Sequence, residues 1–227
     1  MSRYQGVRFW ILFVGLLAFL MLWPLADELS SRQVATNIFR DILLLSCVLA
    51  VSNNARIAIL VLVLGLALVI SRWLFEFRFG IVFVSVGHGL GFLIMLIVAA
   101  SILTEVLRAG DVTSHLVVGA VCVYLLLAII WAFLYNAIEA LAPGAILDRG
   151  QPFSGTGALP VADAEGIKML YISLATITTL GNSDIPVTFL ARQIATIEAI
   201  TGQLYLAVLI ARLVGFSSAA GPTSGRE

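Results

Sequence analysis

The chain has 227 residues, of which 61% are hydrophobic and only 11% are charged, and its mean hydropathy is +1.07. A water-soluble domain of this size has no interior large enough to hide so much apolar surface, so the composition indicates a membrane protein. Thirteen basic and thirteen acidic residues cancel, which argues against a nucleic-acid partner.

Six apolar segments are predicted to cross the membrane as helices. A helix needs about 20 apolar residues to span the hydrocarbon core, and fewer where the bilayer thins or flanking side chains snorkel. The first segment follows Arg3 and Arg8 as a signal peptide would, but no small-residue cleavage site follows it, so it is interpreted as a helix. The predicted spans are residues 8–25, 37–51, 57–74, 79–107, 114–141 and 189–214.

The first four spans, within residues 1–112, are predicted to form a four-helix membrane domain without a voltage sensor. A sensor needs several Arg or Lys residues on one span, because each elementary charge contributes only about 2.3 kcal/mol per 100 mV. The fourth span offers His88 in its interior and Arg108 at its end. Four glycines around His88 favour close helix packing; a packed polar residue and a pH-sensing role both stay open for this histidine.

Between the last two spans lies a stretch, residues 142–188, that is too polar in parts to cross the membrane. Residues 166–178 within it are predicted to form a re-entrant helix, since such backbone at membrane depth is tolerated only where it is buried in protein or faces water. Thr176, Thr178 and Thr179 end this helix. The Gly-Asn-Ser-Asp that follows at residues 181–184 would, taken alone, be an ordinary tight turn.

This stretch and the helix after it resemble the pore module of the potassium-channel superfamily. The family motif Thr-Val-Gly-Tyr-Gly-Asp, often followed by Ile-Thr-Pro-Val-Thr, is matched by Thr-Leu-Gly-Asn-Ser-Asp at 179–184 and Ile-Pro-Val-Thr at 185–188. Residues 202–215 resemble the inner helix of bacterial members. The resemblance implies an all-α membrane fold of six transmembrane helices, with a re-entrant pore helix and filter between the fifth and sixth. A tetrameric pore domain, residues 113–215, would precede a short flexible tail, residues 216–227.

The resemblance implies an ion filter made of Thr179, Leu180, Gly181, Asn182 and Ser183, with a monovalent cation site, for K⁺ or alternatively Na⁺, at Thr179. Stacked backbone carbonyls would replace the hydration shell of the ion. Aiming them inward requires alternating backbone handedness, which favours glycine. Gly181 meets the first left-handed requirement, whereas Ser183 stands at the second, where a left-handed serine costs about 1–2 kcal/mol. Asn182 replaces the bracing tyrosine, so reduced selectivity is expected.

Five further residues are predicted to support this filter: Tyr171, Asp184, Glu139, Glu198 and Arg192. The Tyr171 hydroxyl is a candidate partner for Asp184, in place of the tryptophan that family members carry, and a tyrosine at the membrane interface is the alternative. Glu139 and Glu198 are acids at membrane depth, where charges are costly and usually pair or face water. Both are expected behind the filter, and Arg192 is either their partner or a snorkelling surface residue.

The last span carries the predicted hinge and cavity residues. Gly202 follows Arg192 at the family spacing for a hinge glycine, and close helix packing is the alternative interpretation. Gln203, Leu206 and Ile210 recur at the spacing of one helix face and are predicted to line the cavity.

The sequence therefore predicts a homotetrameric, voltage-insensitive cation channel in the lipid of the cell (inner) membrane, multi-pass, with both termini cytoplasmic. Charge shows no positive-inside bias, so this orientation comes from the resemblance alone. A non-conducting or regulatory channel-like subunit and a membrane scaffold remain alternatives. An enzyme is not expected, because spacing suggests no Cys/His or Ser/His pairing. The short tail leaves no room for a ligand-binding domain, so an unknown regulatory protein is a further candidate partner. No cofactor other than monovalent cations is expected.

Overall fold

The computed structural model describes residues 2–26, 32–75, 81–110, 113–142, 144–148, 151–152, 162–181, 185–186 and 188–219. Helices make up most of these residues, and one lies at each predicted span and at the predicted re-entrant segment, so the helical fold class is confirmed. The helices in this part of the chain are α1 (Ser2–Ala26), α2 (Arg32–Ala50), α3 (Ala55–Phe75), α4 (Ile81–Arg108), α5 (Ser114–Leu141), α6 (Ala162–Ile177) and α7 (Phe189–Ala219).

Within the described residues, three helices are long and apolar enough to cross a membrane. They contain Gly89–Arg108 in α4, Ser114–Glu139 in α5 and Phe189–Gly215 in α7. Helices suit such sequences because they satisfy every backbone polar group internally, which lipid requires. The chain is therefore a membrane protein. Shorter apolar helical stretches are Val7–Leu22, Ala55–Ile70 and Ile167–Ile177, and the count of six spans stays a prediction.

Helix α5 is the central helix, because α1, α4, α6 and α7 all pack against it. Small residues allow the closest approaches. A Cβ atom built on Gly119 of α5 would lie 3.2 Å from the ring of Phe9 in α1, and one built on Gly91 of α4 would lie 2.8 Å from the ring of Phe133. The first and second halves of the chain therefore share one apolar core around α5.

An ion pair joins α1 to α4. Arg8 donates from Nη2 to Glu105 Oε1 of α4 and from Nη1 to Ala50 O of α2, the latter at 3.4 Å. The guanidinium carbon also lies 4.6 Å from the ring centroid of Phe9. Because Arg8 is only 6% exposed, these contacts replace the water that its charge would otherwise need.

Arg212 connects α7 to the same end of α4. Its Nη2 donates to the carbonyl oxygens of Leu107 at 2.5 Å and Ala109 at 2.9 Å. The last carbonyls of a helix have no partner within the helix, so a basic side chain at this position also satisfies backbone acceptors. The far end of α7 is thereby fastened to the connection between α4 and α5.

A small antiparallel sheet fastens the chain after α5 to the chain before α7. Its strands are β1 (Ile146–Asp148), β2 (Gln151–Pro152) and β3 (Ile185–Pro186), with β1 in the centre. Ile146 lies opposite Pro186, and the N–H of Thr188 donates to Ala145 O at 3.4 Å. The sequence did not predict this sheet, because strands of two or three residues are too short to show a periodicity.

Candidate functional site

Helix α6 ends in an exposed turn, residues 178–181, which is called the turn segment below. Its backbone N–H groups still reach back into the helix: Thr178 N–H donates to Leu174 O and Gly181 N–H to Ala175 O, each at 3.1 Å. These bonds hold the segment tightly under the last turn of α6. Its shape is therefore set by the helix that precedes it.

The backbone of the turn segment alternates in handedness. Thr179 has a φ of 57° and Gly181 a φ of 74°, whereas Leu180 between them does not have a positive φ. Glycine adopts this region without a Cβ penalty, but threonine is β-branched, and holding it there costs about 1–3 kcal/mol. The predicted left-handed geometry of Gly181 is confirmed. That of Thr179 was not predicted, and strain of this kind tends to mark a functional segment.

The carbonyl groups of the turn segment are available to other partners. In the described part of the chain no hydrogen bond reaches the carbonyl oxygens of residues 178–181, whereas the preceding carbonyl, that of Ile177, accepts from Tyr124 Oη at 2.9 Å. Leu180 is 74% exposed in the single chain. Asn182, Ser183 and Asp184 lie outside the described residues, and the ion filter as a whole, residues 179–183, stays a prediction.

A buried polar cluster lies behind α6 and joins three helices. Tyr135 of α5 donates from Oη to Glu198 Oε2 of α7 at 2.6 Å, and Ser173 of α6 is hydrogen-bonded to Glu198 Oε1. Ser173 Oγ also lies 2.7 Å from Ala128 O of α5. Glu198 and Ser173 are both 0% exposed. The partners of Glu198 are thus two hydroxyl groups, and Arg192 is not one of them.

Glu139, the other buried acid, shapes the loop after α5. Its Oε1 accepts from the N–H of Gly144 at 2.7 Å and its Oε2 from the N–H of Ile146 at 3.0 Å. Ile146 begins β1, which pairs with β3 just beyond the turn segment. Glu139 therefore fixes the strand against which the chain after residue 184 is aligned.

Helix α7 touches the end of α6 at Gly202. A Cβ atom at this position would lie 2.6 Å from both the carbonyl oxygen and Cγ1 of Ile177. Nearby, the rings of Tyr124 and Tyr205 stack with their centroids 5.9 Å apart, and Tyr205 donates to Ala120 O at 2.6 Å. The structure thus shows close packing at Gly202, and its role as a hinge stays a prediction.

The remaining predicted site residues are dispersed in the single chain. Tyr171 is 50% exposed on α6, and its predicted partner Asp184 lies outside the described residues, as does the side chain of His88. Arg192 is exposed in the first turn of α7. On the same helix Gln203 and Ile210 are exposed and Leu206 is half-buried.

Sequence reasoning missed Tyr124, Tyr135 and Ser173, whose hydroxyl groups join α5, α6 and α7. A neutral hydroxyl group in an apolar span carries no charge penalty, so these residues do not stand out in the sequence. Spacing offers a signal, however: Tyr124 and Tyr135 are eleven residues apart, close to three helical turns, and Glu139 follows by four more. The three therefore share one face of α5, and a stripe of polar tips on an apolar helix marks the face that meets polar partners.

The site consists of hydroxyl groups, backbone carbonyls and two buried acids. Among the described residues, no group of three or more His, Cys, Asp or Glu side chains could hold a metal ion. Fold and site together define an α-helical membrane protein in which a short helix and a strained turn lie between the last two long helices. No family model, curated protein or solved structure matches this chain.

Proposed function

We propose that the chain is the subunit of a homotetrameric, potassium-channel-like cation channel that conducts passively through a filter of backbone carbonyls. The observation that carries this proposal is the alternating handedness at Thr179 and Gly181, in an exposed segment whose carbonyls are available. Such alternation is what turns successive carbonyl groups toward one line, where they can replace the hydration shell of a cation. The carboxyl end of α6 adds partial negative charge at the same place.

Four copies are proposed because one turn segment cannot surround an ion. The exposure of α7 supports assembly: 11% of its most apolar stretch is buried within the chain, compared with 50% for that of α5. Gln203 is exposed in the middle of the long α7 span, and a polar amide is unfavourable against lipid. We therefore place its helix face toward a water-filled cavity or a neighbouring copy.

The proposed topology has six spans, with the short helices of four copies entering from outside and both termini cytoplasmic in the cell (inner) membrane. The proposed ion is K⁺, with weaker discrimination against Na⁺ than a Gly-Tyr-Gly filter gives. Asn182 and Ser183 depart from that filter, and this departure is also the observation that favours the second candidate, a channel-like subunit that does not conduct.

Flux into sealed vesicles tests the proposal. The purified protein, reconstituted under a K⁺ gradient and separately under a Na⁺ gradient, should carry both ions and K⁺ faster, and native mass spectrometry should find four copies. Gly181→Ala should not unfold the protein, because a Cβ atom there meets nothing within 4 Å. It should abolish flux, because the φ of 74° that the filter requires disfavours any side chain. Gly65→Ala in α3, also without neighbours within 4 Å, is the matched control.

The outcomes separate the candidates. A tetramer without flux under either gradient supports the non-conducting subunit. A monomer or dimer without flux rejects a pore altogether and leaves a membrane scaffold.

A further inference from the structure

Three contacts between oxygen atoms surround Glu198, and each needs one hydrogen. If the carboxylate is ionised, the hydroxyl groups of Ser173 and Tyr135 supply only two. Ser173 Oγ is hydrogen-bonded to Glu198 Oε1 and lies 2.7 Å from Ala128 O, while Glu198 Oε2 receives the hydroxyl hydrogen of Tyr135 at 2.6 Å. Ser173 has one hydroxyl hydrogen, and a backbone carbonyl such as that of Ala128 only accepts. One hydrogen is therefore missing if Glu198 carries none.

Two arrangements of the hydrogens can be compared. If Glu198 is ionised, the Ser173 hydrogen can point either to Oε1 or to Ala128 O, and the other pair of oxygens meets with lone pairs facing each other. If Glu198 is protonated at Oε1, its hydrogen points to Ser173 Oγ and the Ser173 hydrogen points to Ala128 O. Only the second arrangement places one hydrogen in every contact, which is what buried polar groups require.

The surroundings of Glu198 also disfavour a negative charge. The side chain is 0% exposed, and its hydrogen-bond partners in the described residues are the neutral hydroxyls of Tyr135 and Ser173. A buried carboxylate is costly unless a cation or several donors compensate it.

The other titratable groups on the packed helices do not supply such a cation. On α5, Tyr124 donates to Ile177 O, and Glu139 accepts the N–H groups of Gly144 and Ile146. Lys168 of α6 and Arg192 of α7 are both exposed. Arg212, at the far end of α7, donates to the carbonyl oxygens of Leu107 and Ala109, and His115 of α5 is hydrogen-bonded to Thr113.

We propose that Glu198 is a neutral carboxylic acid at neutral pH, and that its proton completes a bridge from α7 through Ser173 of α6 to Ala128 of α5. Glu198 is then a positioning residue: it holds α6, and through α6 the turn segment, between the two long helices. Loss of the proton would break this bridge. The proposal concerns helix contacts and holds whether or not ions pass, so it does not depend on the proposed function.

Infrared spectroscopy of the full-length protein in detergent tests the proposal directly. The spectrum of the wild type minus that of Glu198→Gln should show the C=O stretch of a protonated carboxylic acid at pH 7, and this band should vanish as the pH is raised. A difference spectrum with only carboxylate bands at pH 7 overturns the proposal. Glu198→Gln should fold normally, since its amide can donate to Ser173 and accept from Tyr135 as the protonated acid does; failure to fold also overturns it.

Thermal unfolding gives an independent readout with a matched control. The folded wild type would hold a proton that an unfolded glutamate releases at neutral pH, so its melting temperature should fall as the pH rises, whereas that of Glu198→Gln should lack this component. Glu139→Gln is the matched control. Unlike Glu198→Gln, it should lower the melting temperature by several degrees at pH 7, because an amide nitrogen would replace one of the two oxygens that accept from the N–H groups of Gly144 and Ile146, and this nitrogen cannot accept. A wild type whose stability relative to Glu198→Gln rises with pH contradicts the proposal.

Discussion

Thr179 and Gly181 are left-handed, and Ser183 follows two residues later in the sequence, where the proposed filter calls for a second left-handed glycine. We predict that Asn182→Tyr combined with Ser183→Gly increases the preference for K⁺ over Na⁺, because glycine removes a penalty of about 1–2 kcal/mol per subunit and tyrosine restores a brace. The reversal potential with K⁺ on one side and Na⁺ on the other should shift toward the potassium equilibrium potential.

The control for this change is Asn182→Tyr with Ser183→Ala, which removes the serine hydroxyl but keeps the Cβ atom, and it should not restore selectivity. The prediction is wrong if the current through the unmodified protein already reverses near the potassium equilibrium potential and the glycine variant does not shift this reversal potential. Serine would then adopt the left-handed geometry at little cost.

Gly202 is a residue at which α7 packs closely on the end of α6. Gly202→Ala should destabilise the protein by about 1–3 kcal/mol, the usual cost of overpacking, because the new Cβ would lie 2.6 Å from a backbone oxygen that cannot move aside easily. Gly215→Ala on the same helix meets nothing within 4 Å and should be neutral or stabilising. Unfolding in mixed detergent micelles measures both, and equal effects would show that the contact at Gly202 contributes nothing.

At the scale of single residues, the sequence identified the polar groups that lipid makes costly. Glu139 and Glu198 stand out because acids are rare in an apolar span, and both are buried and hydrogen-bonded. Their partners could not be predicted. Serine and tyrosine hydroxyls are common in spans, and backbone N–H groups leave no mark in a sequence at all.

Among the helices, α1 and α4 are joined by an ion pair between buried Arg8 and partly exposed Glu105. Arg8→Met should destabilise the protein by about 2–3 kcal/mol, somewhat below the loss on breaking a fully buried pair, because the Glu105 side chain is 33% exposed. Adding Glu105→Gln should recover part of this loss, since no carboxylate then lacks its partner. A titration with denaturing detergent measures the change.

The control for the ion pair is Arg56→Met at the exposed start of α3, where we expect a change within about 0.5 kcal/mol. A loss there as large as that of Arg8→Met would mean that any arginine contributes as much, and the buried pair would have no special weight.

Helix positions were predictable because apolar segments of 15 to 29 residues leave few alternatives in a membrane. The arrangement of the helices around α5 was not. It depends on matching shapes, such as the ring of Phe9 against Gly119, between residues that are far apart in the chain. The short sheet of β1, β2 and β3 also escaped prediction, because its strands exist only through their pairing.

For the whole molecule, we predict currents without intrinsic voltage dependence. The sequence of α4 contains one histidine and one terminal arginine in place of repeated basic residues, so little charge can move across the field, at about 2.3 kcal/mol per charge per 100 mV. Current should follow the driving force smoothly over the physiological range in planar bilayers. A conductance that rises steeply over a few tens of millivolts would require gating charge elsewhere in the protein.

Part of the contacts that complete the site comes from residues made later than the turn segment. Glu198 and Gly202 follow the turn segment in sequence, so the ribosome makes α6 before the helix that completes its contacts. Until α7 arrives, α6 has its contacts with α5, such as that from Ser173 Oγ to Ala128 O, but lacks those with Glu198 and Gly202. We therefore expect α6 and the turn segment to be packed on both sides only after α7 has been inserted.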